Sequence, residues 1–136
     1  MRIQLCGPFS VRLDGRRVDE RLTGRQPRLL FAYLVLTRDG PSSRERLVDA
    51  LWGDTPPSAA DAALSALLSG LRRALLPVCL AGRSGIRLEL PPDVWVDYDE
   101  ATVACHRAES ARARGDWPGA YAASLVAYYI ARRGFL

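Results

Sequence analysis

Ser42-Ser43-Arg44-Glu45-Arg46-Leu47-Val48-Asp49-Ala50-Leu51-Trp52-Gly53-Asp54-Thr55-Pro56-Pro57 is the stretch on which the reading of this chain turns. Ser42-x-x-Glu45 has the form of a capping box, and Leu47, Val48, Leu51 and Trp52 follow it at helical spacing, so a helix of about ten residues begins here. Gly53 to Pro57 cannot continue that helix, because proline lacks the N–H and its ring crowds the preceding turn. Ser58-x-x-Asp61 then reads as a second cap, in front of a longer helix reaching Leu75. On that helix Leu64, Leu68, Leu71 and Leu75 form one stripe, with Leu67 beside it. At 100° per residue, Ala62, Ser65, Ala66, Ser69 and Arg73 fall on the opposite side.

Outward from this pair of helices, Val78 to Ala81 and Ile86 to Leu90 alternate apolar with polar residues around Gly82-Arg83-Ser84-Gly85, which predicts a β-hairpin with an arginine at its tip. Upstream, Leu29, Leu30, Tyr33, Leu34 and Leu36 give a helix between Gly24 and Arg38 that is apolar nearly all round and therefore central to a core. Before it, Ile3 and Leu5, then Phe9, Val11 and Leu13, predict two strands flanking Gly7-Pro8, and Asp14-Gly15 turns the chain into a short third strand through Arg17 and Val18. Pro91-Pro92-Asp93 closes this part. Beyond it, Tyr98, Ala101, Cys105, Ala108 and Ala111 mark one helix, and Trp117, Ala120, Tyr121, Ser124, Leu125 and Tyr128 mark another after Gly115-Asp116. Two domains follow from this pass: residues 1–92, and a helical hairpin over 93–136.

The composition narrows the function. With 136 residues, 49% of them apolar, the chain can bury a real core. No window approaches a membrane span, and the first residues read as a strand instead of a signal peptide, so a cytoplasmic protein is expected. Cys6, Cys79 and Cys105 lack metal-ligand spacing and read as small buried hydrophobes. His106 is the single histidine, which leaves a zinc site, a catalytic triad or a His-based acid/base pair little to build on. Neither a phosphate-cradling loop nor an activated nucleophile is present, so the chain reads as non-enzymatic, without cofactor or metal. All 19 cations are arginine. Residues 1–92 hold 14 Arg against 9 acids, a balance of +5, whereas residues 93–136 hold 5 Arg against 6 acids, a balance of −1. A basic first part rich in forked guanidinium groups suits a polyanion such as DNA.

The order sheet, helix, helix, tight loop, helix, hairpin is that of a winged helix-turn-helix, an α+β fold whose third helix enters the major groove. Three runs carry a family resemblance: Gly24-Arg25-Gln26-Pro27-Arg28-Leu29-Leu30, then Ser43 through Pro57, then Leu71-Arg72-Arg73-Ala74-Leu75. They resemble the Streptomyces antibiotic regulatory protein (SARP) family, whose members join an OmpR-like winged helix to a bacterial transcriptional activator domain. Leu90-Pro91-Pro92-Asp93, Trp95-Val96-Asp97, Gly115-Asp116-Trp117 and Ala131 to Leu136 resemble the start of that activator domain, a stack of tetratricopeptide-like helical pairs. The resemblance implies that 93–136 is the first pair of a truncated stack, since such pairs bury their faces only against neighbours.

It also implies a sequence-specific transcriptional activator that binds promoter repeats as side-by-side copies or a homodimer, and recruits RNA polymerase through its sigma factor. The loop Gly53 to Pro57 would face the polymerase. The DNA-binding residues expected are Ser65, Ser69, Arg72 and Arg73 on the third helix, Arg83 and Arg87 on the hairpin, and Ser43 and Arg44 at the start of the second helix, where free N–H groups favour phosphate. At the positions that face DNA in the family, this chain has Ala62, Ser65, Leu67 and Gly70, which leaves direct base readout to serines and Arg73. An alternative follows from that poverty: a winged helix that has lost base reading and serves as a protein-interaction module.

Overall fold

The structure, a computed structural model, describes residues 1–136 and is α+β. Its elements are β1 (Arg2–Gln4), β2 (Ser10–Leu13), β3 (Arg16–Arg17), a 3-10 turn (Asp19–Arg21), α1 (Arg25–Leu36), β4 (Ser42–Ser43), α2 (Arg44–Trp52), α3 (Ala60–Leu75), β5 (Cys79–Ala81), β6 (Gly85–Glu89), β7 (Trp95–Val96), α4 (Asp97–Ala113) and α5 (Trp117–Ala131). Helices α1 to α3 with the β5–β6 hairpin make the winged helix-turn-helix, and α4 with α5 makes the helical pair. By packing, the chain divides into Val18–Pro92 and a second unit that combines Met1–Arg17 with Asp93–Leu136. This differs from a contiguous 1–92 domain. The reason is backbone pairing: β7 lies parallel to β1, with Ile3 opposite Val96.

Within Val18–Pro92 the core is aliphatic. Leu30, Phe31, Ala32, Leu34 and Val35 of α1 are buried, which is why that helix reads as apolar nearly all round. Leu47 and Leu51 of α2 and Leu64, Leu68, Leu71 and Leu75 of α3 are buried with them, the stripe that the leucine spacing requires. Each such side chain contributes about 1.5–3 kcal/mol relative to exposure. The caps fall elsewhere than the sequence patterns suggest. Ser43, one residue after the expected Ser42, caps α2 by accepting from the Arg46 N–H at 3.3 Å. Ser42 is instead buried in β4, opposite Ile86, with its Oγ 3.1 Å from Thr37 Oγ1. Ala59 precedes α3 without a side-chain cap, so neither Ser58 nor Asp61 plays that part.

The three-stranded sheet runs β4-β6-β5. Leu80 pairs with Leu88 across the hairpin, and Ser43 pairs with Gly85, which ties the hairpin's second strand to the residue that opens α2. At the hairpin tip Gly82 has φ +86°, and a β-carbon there would run into the Gly85 carbonyl, so the turn requires glycine.

The second unit carries a mixed sheet in the order β3-β2-β1-β7. Asp97, at the start of α4 and fully buried, accepts from the Leu5 N–H at 2.8 Å and the Cys6 N–H at 2.9 Å, anchoring the helix to the chain beyond β1. The C-terminal residues pair with the same segment, through Gly7 N–H to Gly134 O at 2.8 Å and Leu136 N–H to Leu5 O at 3.1 Å. Burial, with the Asp97 carboxylate adding to it, pushes the Cys6 thiol above the ordinary thiol range.

Cys6 is buried, whereas Cys79 and Cys105 are exposed, contrary to the reading of all three as core residues. On α4 the buried residues are Asp97, Ala104 and Ala111; of the positions that marked the helix in sequence, Ala111 is buried and Ala101 and Ala108 are partly buried, while Tyr98 and Cys105 point outward. Alanines occupy so many positions that no one face of α4 is strongly apolar, and the Asp97 anchor sets its rotation. On α5 Ala127 and Ile130 are buried, while Trp117 and Tyr121, among the residues that marked this helix in sequence, are about two-thirds exposed at 66% and 68%. Tyr128 is likewise exposed, beside Tyr129 and Arg132. Phe135 meets Tyr98 edge-on at 6.5 Å.

Candidate nucleic-acid interface

The outward face of α3 carries Ala62, Ser65, Ala66, Ser69 and Arg73, all exposed, because the four buried leucines turn the opposite side inward. Leu67 and Gly70 do not belong to that face. They are partly buried and line a concavity of about 460 Å³ together with Pro27, Trp52, Ala63 and Ala66. Trp52 is thus a partly buried wall residue of that concavity.

At the N-terminal end of α3, Arg44 reaches across from α2. Its Nε donates to Asp61 Oδ1 at 2.6 Å, and its Nη2 donates to Ser65 Oγ at 2.7 Å and to the Asp61 carbonyl at 3.1 Å. This cluster absorbs two of the expected DNA-binding residues, Arg44 and Ser65. The Asp61 carboxylate neutralises Arg44, and Ser65, accepting from Arg44, keeps its O–H as a donor. Ser43 is occupied by its capping bond.

At the other end the arrangement differs. Arg72 turns toward the hairpin, its Nε donating to Leu80 O at 3.3 Å and its Nη2 to Gly82 O at 3.0 Å. Arg72 and Gly82 thereby join the last turn of α3 to the hairpin tip. Their chain neighbours Arg73 and Arg83 are exposed and have neither a hydrogen bond nor an ion pair. On β6, Arg87 is exposed and paired with Glu89 at 3.3 Å. Ser69 is exposed, one turn before Arg73.

Of the eight expected residues, the fold therefore gathers Arg72, Arg73 and Arg83 at one end and Ser43, Arg44 and Ser65 at the other, with Ser69 between and Arg87 along the hairpin. Asp61, read from the sequence as part of a cap, is instead the partner of Arg44. Seventeen residues separate it from Arg44, and only the α2–α3 packing brings them together.

Charge counted by packed unit also changes the picture. Val18–Pro92 has 10 Arg against 8 acids and the other unit 9 Arg against 7, so each carries +2. The basic surplus assigned to residues 1–92 came partly from Arg2, Arg12, Arg16 and Arg17, which pack in the other unit. Net charge does not distinguish the two units, and exposed guanidinium groups without an ion pair occur at Arg21, Arg25 and Arg46 as well as at Arg73 and Arg83; what marks the hairpin end of α3 is the bond by which Arg72 joins that helix to the hairpin.

No group of three or more His, Cys, Asp or Glu residues is arranged to hold a metal ion. No helix is long and apolar enough to cross a membrane.

No family model matches the chain. It is 35% identical over 118 residues to the regulatory protein AfsR of Streptomyces coelicolor, covering 85% of this chain and 12% of AfsR. To the transcriptional regulatory protein EmbR of Mycobacterium bovis it is 33% identical over 118 residues, covering 79% of this chain and 30% of EmbR. The chain thus spans less than a third of these relatives' lengths. A solved structure of Mycobacterium tuberculosis EmbR, in complex with a low-affinity phosphopeptide, superposes with a TM-score of 0.70 at 26% identity, over 93% of this chain and 35% of that one. The sequence motifs, the winged helix-turn-helix with its helical pair, and these likenesses agree: over this segment the chain is similar to the regulators AfsR and EmbR, in keeping with its resemblance to the Streptomyces antibiotic regulatory protein family.

Proposed function

We propose that this chain is the DNA-binding segment of a cytoplasmic, non-enzymatic transcription regulator, with α3 in the major groove of promoter DNA and the β5–β6 hairpin against the adjacent backbone. The observation that supports this reading most is the Arg72–Gly82 bond, which ties the last turn of α3 to the hairpin tip; Arg73 and Arg83, the chain neighbours of its two partners, are exposed and unpaired. Exposed guanidinium groups without a carboxylate partner leave their charge available to an anion. Arg83 is suited to phosphate, and Arg73, on the outward face of α3, to a forked contact with guanine. Ser69 can bond either kind of base edge, while Ala62 and Ala66 suit thymine methyl groups.

From the family resemblance we further propose that the chain binds direct repeats as side-by-side copies, and that the loop from Gly53 to Pro57 meets the sigma factor of RNA polymerase. The test is selection of bound fragments from genomic DNA, followed by footprinting. Enrichment of fragments with repeated sites, each protected over a major groove and its flanking backbone, is expected. Failure to enrich any fragment at low salt would overturn the reading.

The apolar concavity bounded by Trp52, Leu67 and Gly70 favours a second reading, a protein-docking module without base recognition. It is distinguished by the R73A/R83A double substitution, which removes retention on DNA under the first reading and leaves partner binding intact under the second.

A further inference from the structure

Arg72 is an expected DNA contact whose guanidinium is already engaged. Its Nε and Nη2 donate to the carbonyls of Leu80 and Gly82, two positions that bracket the turn from β5 into the hairpin tip. A planar guanidinium spans two carbonyls as a fork, so it fixes both the separation and the direction of the strand that it holds. Gly82 has no side chain of its own to hold the turn, and its φ of +86° makes the tip a sharp one. The neighbouring Arg83 side chain leaves the backbone one residue beyond the gripped carbonyl.

We infer that Arg72 is a positioning residue for the DNA-binding surface: it clamps the hairpin to the last turn of α3 so that Arg83 is presented to phosphate in register with Arg73, and it does not itself contact DNA. This rests on the DNA-binding reading above. It also separates two adjacent arginines that sequence treats alike. Arg72 is half-buried and bonded to neutral carbonyls, while Arg73, one residue on and rotated by 100°, is exposed and unbonded. Because carbonyls do not cancel a formal charge, the clamp leaves the local field positive while spending the donors of Arg72 on protein.

The experiment compares the unsubstituted chain with R72A, R72K, R83A and the R72A/R83A pair, on a duplex fragment recovered by genomic selection. Affinity is read over a salt series. Loss of one phosphate contact lowers the magnitude of the log–log salt slope by about 0.9. If Arg72 positions Arg83, then R72A and R83A each lower the slope by about 0.9, and the double substitution lowers it no further than either single one. R72K, which offers one point donor in place of a fork, restores only part of the affinity.

Hydrogen exchange of the free protein supplies an arm that needs no DNA: R72A speeds exchange at the hairpin amides and leaves α1 protected. Additive loss of about 1.8 in the double substitution would make Arg72 a phosphate contact in its own right and overturn the inference while sustaining the DNA-binding reading. Unchanged hairpin exchange in R72A would overturn it as well. Absence of DNA binding by the unsubstituted chain, with faster hairpin exchange in R72A, would instead remove the reading on which the inference rests.

Discussion

At both ends of α3 an arginine is tied down by hydrogen bonds, yet the two ends present opposite prospects to an anion. At the N-terminal end Arg44 bonds to the Asp61 carboxylate, and the pair is neutral. At the C-terminal end Arg72 bonds to the Leu80 and Gly82 carbonyls and its charge stands, joined by the unpaired Arg73 and Arg83. The charge of an arginine's partner, more than whether it has one, decides whether that region can recruit phosphate. The helix dipole adds a smaller contrast of opposite sign: free N–H groups favour an anion at the first turn of α3, but Asp61 already occupies it.

Four substitutions would break or sharpen this contrast, taken from the largest expected effect to the smallest. Replacing Arg73 with alanine removes the one long donor on the outward face. About 1–3 kcal/mol of binding is expected to be lost, with relaxed preference at a single base pair, as read by competition among mutated sites. A uniform loss across all sites would reassign Arg73 to phosphate. Gly82→Ala comes next, because its new β-carbon meets the Gly85 carbonyl. Its unfolding midpoint should fall, and the footprint should lose the backbone flank served by the hairpin while keeping the major-groove protection.

Asp61→Ala is the most pointed, since it should strengthen binding. Freed from its carboxylate, Arg44 becomes available to phosphate, and the salt slope should steepen by about 0.9. The folded chain should lose only about 0.3–1 kcal/mol from the missing acid in the first turn of α3. A weaker complex would mean that the Arg44–Asp61 pair is needed to set α3 in the groove. Last, Glu89→Ala at the exposed Arg87–Glu89 pair should change unfolding free energy by at most about 1 kcal/mol in thermal or urea titration. It should leave affinity within the scatter of the measurement, unless Arg87 also reaches phosphate.

What the sequence disclosed was periodicity. The leucine stripe of α3, the apolar surround of α1, the proline-bounded loop and the Gly82–Gly85 tip are all local patterns, and the folded chain keeps them. What it withheld was set by partners distant along the chain. The two-residue strands β4 and β7 have no pattern of their own and exist through pairing with β6 and β1. That Tyr98 and Cys105 of α4 face outward was not legible, because the buried Asp97 is held by hydrogen bonds more than 90 residues away in sequence, at Leu5 and Cys6. The candidate site divides in the same way. Arg73 and Arg83 were legible as outward cations, from helical angle and from the turn. That Arg44 is cancelled by Asp61, and that Arg72 faces the hairpin, depends on packing between elements, which residue type and spacing do not encode.

The most direct measurement is the affinity of the unsubstituted chain for duplex promoter DNA as a function of salt. Arg83 on phosphate requires a log–log slope of about −0.9 or steeper, with the R73A/R83A double substitution shallower by at least that amount. Affinity independent of salt, or a slope that the double substitution leaves untouched, would contradict the claim that the hairpin end of α3 is where this protein meets DNA.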